Sequence, residues 1–380
     1  MFSHHRVALF LSAALIVTSG CGGNGSLPGS TATGGAAQSS SLHNGSVQPD
    51  DTTSILKKLT KDVVIGSTVD PKNGDTGPHS LSIVQVNYGL KKGQLVTCNF
   101  ADSAGTAGNG MTVEVLNPQP GSSPRSFYTG TKIKGCDGSA VSSASNDVYP
   151  CGLTSGTCVE ITQKGKYKKT YASPIQAPFA DGDIYNPYAY AAEYIMVGDA
   201  KTGGVVSFAV GPYGNPKETQ VISGFGVSGS GWKTLGPSGF QYDTQKDVMY
   251  IADGVTNTVV SVSHPGNLLQ KNEIVVQPGG KTFKCVHKQD ACAKLVLAGD
   301  PLNAPVALAL LPNGNVIAAN TAGGNTLVEM TPAGQVLATK VIDSGAGPAI
   351  FGIAASGKND SNTVLFYTDT NDNTIHELTQ

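Results

Sequence analysis

The chain has 380 residues, of which 14% are charged and 48 are glycine, with 25 Lys+Arg against 27 Asp+Glu and a formal net charge of −2. Charged residues reach about 25% and glycine about 7% of an ordinary globular chain, so the skew favours short strands and tight turns over long solvated helices. A hydrophobic content of 39% is enough to bury a core and excludes wholesale disorder, and balanced charge without a basic block excludes a nucleic-acid partner.

Residues 1–20 read as an export signal. Arg6 precedes an apolar run over 7–17, too short to span a bilayer, and the small residues Thr18, Ser19 and Gly20 follow. Cys21 stands directly after them and before Gly22 and Gly23. This resembles the lipobox of bacterial lipoproteins, with Thr18 where that family usually carries Leu. The resemblance implies lipidation at Cys21, stable anchoring by more than one acyl chain and, in a Gram-negative host, the outer membrane, because Gly22 is no aspartate retention signal. An ordinary secretory signal with a free Cys21 is the alternative. Residues 21–54 are small and polar with almost nothing to bury, the composition of a flexible tether, which leaves 55–380 for the folded domain.

Apart from Cys21 the cysteines are Cys98, Cys136, Cys151, Cys158, Cys285 and Cys292. An even number in an exported chain, with no CxxC spacing, points to disulfides and away from zinc. Cys285 and Cys292 flank a polar hexapeptide and read as a stapled hairpin loop. Cys151 and Cys158 enclose a similar one, and Cys98 with Cys136 follows by elimination.

Four stretches share one grammar: an apolar strand, an Asp or Asn, a short Gly/Asn/Thr turn and a second β-branched strand. They are 194–199 with 204–208, 248–253 with 258–262, 315–320 with 326–330, and 364–369 with 374–378. A degenerate copy stands at 95–99 with 111–115. The Asp/Asn positions lie 54, 67 and 49 residues apart. Apolar strands ahead of two pairs, at 305–311 and 351–355, turn each unit into an antiparallel meander. A meander repeating every 50 or so residues buries its faces by radial stacking. The expected fold is therefore an all-β propeller of four-stranded blades, six at roughly 54 residues each, with five or seven open. The last unit stops at Gln380 after its third strand, and a lone β-like segment at 62–68 precedes the first unit, so an N-terminal strand is expected to complete the C-terminal blade and close the ring.

The Pro, Asn-Gly, Asp and apolar-strand pattern resembles NHL-type six-bladed propellers, and residues 87–100 look like the opening unit of bacterial exported NHL-like proteins. The likeness is clear over about 190–380 and weak over about 120–185. It implies architecture and no single activity, since such propellers host binding, scaffolding and hydrolysis alike.

Asp199, Asp253, Asn320, Asp369 and Asn99 fall at equivalent blade positions and make a candidate polar rim for a cation or a ligand hydroxyl; turn capping through their own backbone explains the same repetition. Gluconolactonase-like propellers, which hold one divalent cation in the central channel, need a Glu on the first inner strand, and residues 80–86 have none. Calcium is left open and no other cofactor is expected. Residues 224–232 are Gly-rich but form no nucleotide fingerprint, and no nucleophile elbow appears. Beyond the signal region the histidines, His43, His79, His264, His287 and His376, are scattered and expected at the surface. Tyr185, Tyr188, Tyr190 and Tyr194, and the single Trp232, suit sugar or peptide contact but equally fit core and turn positions. The reading is a lipid-anchored, disulfide-stapled envelope propeller that binds a protein or glycan ligand on one face. A metal-dependent hydrolase and a structural envelope protein are the alternatives, and the balance leans away from an enzyme.

Overall fold

Where it is an Asp, the residue that ends the second strand of a repeat also tightens the turn that follows. Asp199 Oδ1 accepts from the Lys201 and Thr202 N–H groups, both at 2.9 Å, and Asp253 Oδ1 accepts from Val255 N–H at 3.0 Å. A residue in the left-handed region then reverses the chain: Gly203 (φ 64°), Asn257 (53°), Asn325 (46°) and Asn373 (59°). Glycine and asparagine tolerate that region best, so the repeat's spacing dictates an antiparallel pair.

The computed structural model describes residues 50–380 except 212, 214–216 and 346. The export signal, Cys21, His43 and the tether as far as residue 49 lie outside the described residues. The fold is a six-bladed β-propeller. Blade 1 runs from a split inner strand, Thr76–Pro78 and Ser82–Ile83, through Leu95–Ala101 and Ala107–Leu116 to Arg125–Thr129. Blade 2 is Cys136–Val141, Val148–Gly152, Thr157–Ile161 and Tyr167–Tyr171; blade 3 is Pro178–Ile184, Glu193–Asp199, Gly204–Val210 and Thr219–Ser223. Blade 4 is Pro237–Asp243, Val248–Asp253, Thr258–Ser263 and Cys292–Ala298, and blade 5 is Pro305–Leu310, Val316–Asn320, Thr326–Met330 and Val336–Val341. In blade 6, Ile353–Ser356, Val364–Asp369 and Thr374–Thr379 are completed by Lys61–Ser67, which pairs antiparallel with Thr374–Thr379. The ring is thus closed by an N-terminal strand, and one sheet edge that would otherwise stay open is removed.

The middle strands are buried on both faces, as in Glu193–Asp199 and Gly204–Val210. Each blade is covered by its neighbours, so these strands read as continuous apolar runs and not as alternating ones. Residues 50–54, which read as the end of the tether, bond to blade 5: Ser54 Oγ donates to Glu329 Oε2 at 2.6 Å and Thr53 O accepts from Asn313 Nδ2 at 3.3 Å. Ile55, Leu56 and Leu59 enter the core between blades 5 and 6.

Three disulfides join Cys98 to Cys136, Cys151 to Cys158 and Cys285 to Cys292. The first links blade 1 to blade 2, and the second crosses one hairpin of blade 2. The third staples no hairpin. Residues 264–291 are an insertion in blade 4, and its strands Ile274–Val276 and Phe283–Cys285 extend the sheet of blade 3 through a parallel pairing with Thr219–Ser223. Cys285–Cys292 therefore ties the edge of blade 3's sheet to the outer strand of blade 4. The insertion also accounts for the 67-residue interval between Asp253 and Asn320.

Candidate functional site

The six inner strands stand around one axis and run along it in the same direction. Near their starts they line a neck of about 40 Å³. Towards their ends they line a funnel of about 570 Å³ that reaches the exposed Gln85, Pro187 and Thr244. Aromatic rings block the other end. His79 stacks between Phe100 (centroids 4.2 Å apart, 13°) and Phe351 (3.6 Å, 24°), with Phe179 edge-on and Trp232 5.7 Å away. Trp232 arrives on the loop before blade 4 and covers Gly77, where a Cβ would stand 2.4 Å from its ring. The site is a blind funnel.

At its floor His79 Nδ1 meets Asp137 Oδ1 at 2.7 Å, and both side chains are buried. Burial raises the Asp137 carboxyl above its ordinary range although His79 pulls the other way. His79 Nε2 and Asp137 Oδ2 have no hydrogen-bond partner among the described residues. Beside them Ser80 Oγ and Ser139 Oγ bond to each other at 2.6 Å.

Asp181 borders both the neck and the funnel. It follows Ala180, whose φ of 82° lies at an irregularity between Pro178 and Asp181 in the inner strand of blade 3; bulges of this kind re-aim a side chain. Asp181 Oδ1 accepts from Ala140 N–H at 2.8 Å and lies over Gly138, where a Cβ would stand 2.8 Å from it. The half-buried carboxyl is set deep among protein atoms at the edge of the funnel, and this burial, against the pull of the Ala140 and Ser139 N–H groups, pushes it up to about 8. Asp183, one layer nearer the mouth, is held by Ser143 N–H at 3.0 Å. Burial first, and the charge of Glu193 second, push it well above the usual carboxylate range. Gln241, Tyr242 and Thr244 of blade 4 face this acidic side, whereas blades 5 and 6 contribute only Leu310, Ala354 and Ala355 to the funnel. A carboxyl that titrates near neutrality beside a cavity can give or take a proton from whatever sits there.

The residues expected to form a polar rim do occupy equivalent blade positions. Asn99 pairs with Pro78, Asp199 with Pro178, Asp253 with Pro237 and Asn320 with Pro305, and Asp369 ends the matching strand of blade 6. These are the starts of the inner strands, so the ring of five lies at the plugged end and borders neither neck nor funnel. Their groups bond to nearby chain: Asp199 Oδ2 accepts from Gln176 and Ala177 N–H, Asn320 Nδ2 donates to Pro301 O and Thr326 Oγ1, Asn99 Nδ2 donates to Thr68 O, and Asp253 Oδ2 accepts from Thr256 Oγ1.

His79, expected at the surface, is buried at the floor because rings from several blades converge there. Tyr194 is core, Tyr188 is exposed and Tyr185 stands at the funnel mouth. Asp137, Asp181 and Asp183 were not singled out from the sequence; two aspartates inside the strand Pro178–Ile184 were the available signal, since that residue is depleted in strands.

Among the described residues, one group of three metal-ligating side chains lies close together: Asp369, Asp372 and His376 at the turn of blade 6. Both ring nitrogens of His376 are already taken, by Asp62 at 3.0 Å and Asp372 at 3.3 Å. In the neck the side-chain donors are one carboxyl, Asp181, the His79 imidazole with its unpartnered Nε2, the Gln241 amide and the hydroxyls of Ser80, Ser82 and Ser139. Calcium is held by several carboxylates and carbonyl oxygens, and a neck with a single carboxyl does not supply that set.

No protein-family model matches the sequence, and no curated protein is similar to it. Solved structures match the fold. A gluconolactonase of Xanthomonas campestris superposes with a TM-score of 0.54 at 10% identity, covering 85% of this chain and 90% of that one. A putative gluconolactonase gives 0.52 at 10% identity, covering 85% and 94%, and a protein of unknown function from Bacteroides thetaiotaomicron gives 0.52 at 12%, covering 85% and 73%. At such identities the likeness shows the fold alone: this chain shares the six-bladed propeller of gluconolactonase-like proteins.

Proposed function

We propose that the protein is a lipid-anchored envelope propeller whose axial funnel binds a small, largely uncharged polar ligand with one apolar face, such as a sugar. The observation that carries this reading is the division of a one-ended cavity into two unlike walls. Asp181, Asp183, Gln241 and Thr244 line one side, and Leu310, Ala354 and Ala355 the other. A pyranose ring offers hydroxyls at its edge and C–H groups on its face, which is the complement of that wall pair. Its volume of about 570 Å³ falls within the range of small-molecule sites. Because the neck offers a single carboxyl, the metal-dependent hydrolase is the weaker reading. The NHL-like repeat grammar over residues 190–380 supports the binding role only through the fold.

Calorimetric titration of the full-length protein with a panel of neutral mono- and disaccharides tests the funnel. A saturable heat that falls at least about tenfold in affinity in Asp181→Asn or Gln241→Ala supports it. Absence of any saccharide binding, or binding indifferent to both substitutions, overturns it. The anchor is tested separately: Cys21→Ser is expected to leave the membrane fraction, and its retention there overturns lipidation at Cys21.

A further inference from the structure

Between blades 2 and 3 lies a second cavity of about 500 Å³, divided from the funnel by Tyr185 and Pro187, which line both. Its walls are mostly carbon, supplied by Tyr149, Tyr185, Tyr190 and Tyr213. Two of these rings are fixed. Tyr149 packs with Tyr171 and Phe208, and the Tyr190 hydroxyl donates to Asp247 Oδ1 at 2.5 Å.

The charge of the cavity is not balanced. Lys168 is the one cation among the described lining residues, and it is already engaged: its Nζ bonds Glu160 Oε1 and lies 3.4 Å from Asp147 Oδ2. Two carboxylates on one ammonium leave a negative charge over. Glu193 adds a carboxyl that forms no ion pair among the described residues; its oxygens accept from the Ser142 hydroxyl at 2.9 and 3.0 Å and from Ala144 N–H at 3.4 Å. Burial first and the charge of the neighbouring Glu193 second hold Asp183 well above the ordinary carboxylate range, which favours its neutral form.

We propose that this cavity is a binding site for a small organic ammonium ion, one whose positive charge is wrapped in methyl or methylene groups. Aromatic walls attract a cation through the negative faces of the rings, and the unpaired carboxylate adds a Coulombic term strengthened by partial burial. A metal ion would surrender hydration to carbon walls that cannot replace it, and a neutral sugar would leave Glu193 without a counter-charge. The site is independent of the funnel reading and uses no residue of the neck.

The test is a titration of the full-length protein with tetramethylammonium chloride, followed by calorimetry, with potassium chloride at matched ionic strength as reference. The expected result is saturable binding of tetramethylammonium alone, weakened roughly tenfold by Glu193→Gln and also reduced by Tyr213→Ala. Tyr213 is largely exposed, so its truncation leaves the fold intact if Glu193→Gln does not. Asp181→Asn is expected to leave the ammonium affinity unchanged. No saturable heat, an equal response to potassium, or a response lost in Asp181→Asn but kept in both cavity variants overturns the proposal.

Discussion

His79 and Asp137 meet at 2.7 Å across the seam between blades 1 and 2, with side chains 0% and 3% exposed. The pair sits under the aromatic plug that makes the channel one-ended, so the shape of the funnel depends on it. Removing one member strands the other in a site that water does not reach. Asp137→Ala or His79→Ala is expected to cost about 3–5 kcal/mol, whereas His79→Phe combined with Asp137→Leu, which removes both polar groups and keeps volume, should come out close to neutral. Urea denaturation of the four proteins measures this. Single variants within about 1 kcal/mol of the parent would contradict it.

Closure of the ring concentrates at Gly66. The closing strand shifts register between Val64 and Gly66, Ser122 N–H donates to Ile65 O at 2.9 Å, and a Cβ on Gly66 would stand 2.0 Å from the carbonyl oxygen of Ser122. Backbone cannot swing aside as a side chain does, so Gly66→Ala must push the strand away from blade 1. A loss of about 1–3 kcal/mol is expected. Gly347→Ala, where a Cβ meets nothing within 4 Å, serves as the neutral control; equal melting temperatures for the two variants would show that the seam has slack.

Glu114 makes stability depend on alkaline pH. It lies in blade 1, fully buried, and burial first, with the Asp70 carboxyl second, pushes it up to about 10. Asp70 belongs to the chain leaving the closing strand. Burial alone would raise its carboxyl, but the neighbouring Glu114 carboxyl and the Asn73 and Lys72 N–H groups, which donate to Asp70 Oδ1 at 2.7 and 2.8 Å, outweigh this and hold it below its usual range. The folded state therefore keeps a proton on Glu114 that the unfolded chain gives up above its ordinary value of 4.5. The stabilisation is complete below that value and drains away as pH rises towards about 10. Glu114→Gln keeps the size of the side chain without titrating, so its melting temperature is expected to vary less than the parent's between about pH 5 and pH 10. Parallel pH profiles for the two proteins would rule out a proton retained on Glu114 in the folded state.

The architecture was legible where one residue type both ends a strand and tightens a turn. Asp253 and Asn257, or Asp369 and Asn373, announce a hairpin through local chemistry alone, and the isolated strand near Asp62 announced closure because the last unit ended one strand short. Blade 2 was opaque for the same reason in reverse: Gly152 stands opposite Cys136, where the other blades carry Asp or Asn, and the signature vanishes. The site was hidden because it is assembled at the axis. His79, Asp137 and Asp181 come from three blades, and nothing in the sequence around His79 records that Phe100, Phe179 and Phe351 will enclose it. The insertion at 264–291 showed only as a long interval, since pairing with a neighbouring blade leaves no local mark.

The three disulfides differ in what they restrain, and reduction should reveal it. Cys98–Cys136 closes a sequence separation of 38 and ties two blades beside the His79–Asp137 seam, while Cys285–Cys292 closes a separation of 7 at the outer edge. Chain-entropy reasoning assigns about 4 kcal/mol to the longer loop and about 2 kcal/mol to the shorter. The Cys98→Ala/Cys136→Ala protein is therefore expected to melt at the lower temperature of the two double variants. It should also weaken whatever the funnel binds, because Cys136 precedes Asp137 directly. Loss of Cys285–Cys292 frees only the junction between the edge of blade 3's sheet and the outer strand of blade 4, far from the axis, and should leave funnel affinity unchanged. The reverse order of melting temperatures would mean that the insertion, and not the blade 1–blade 2 seam, limits the stability of the ring.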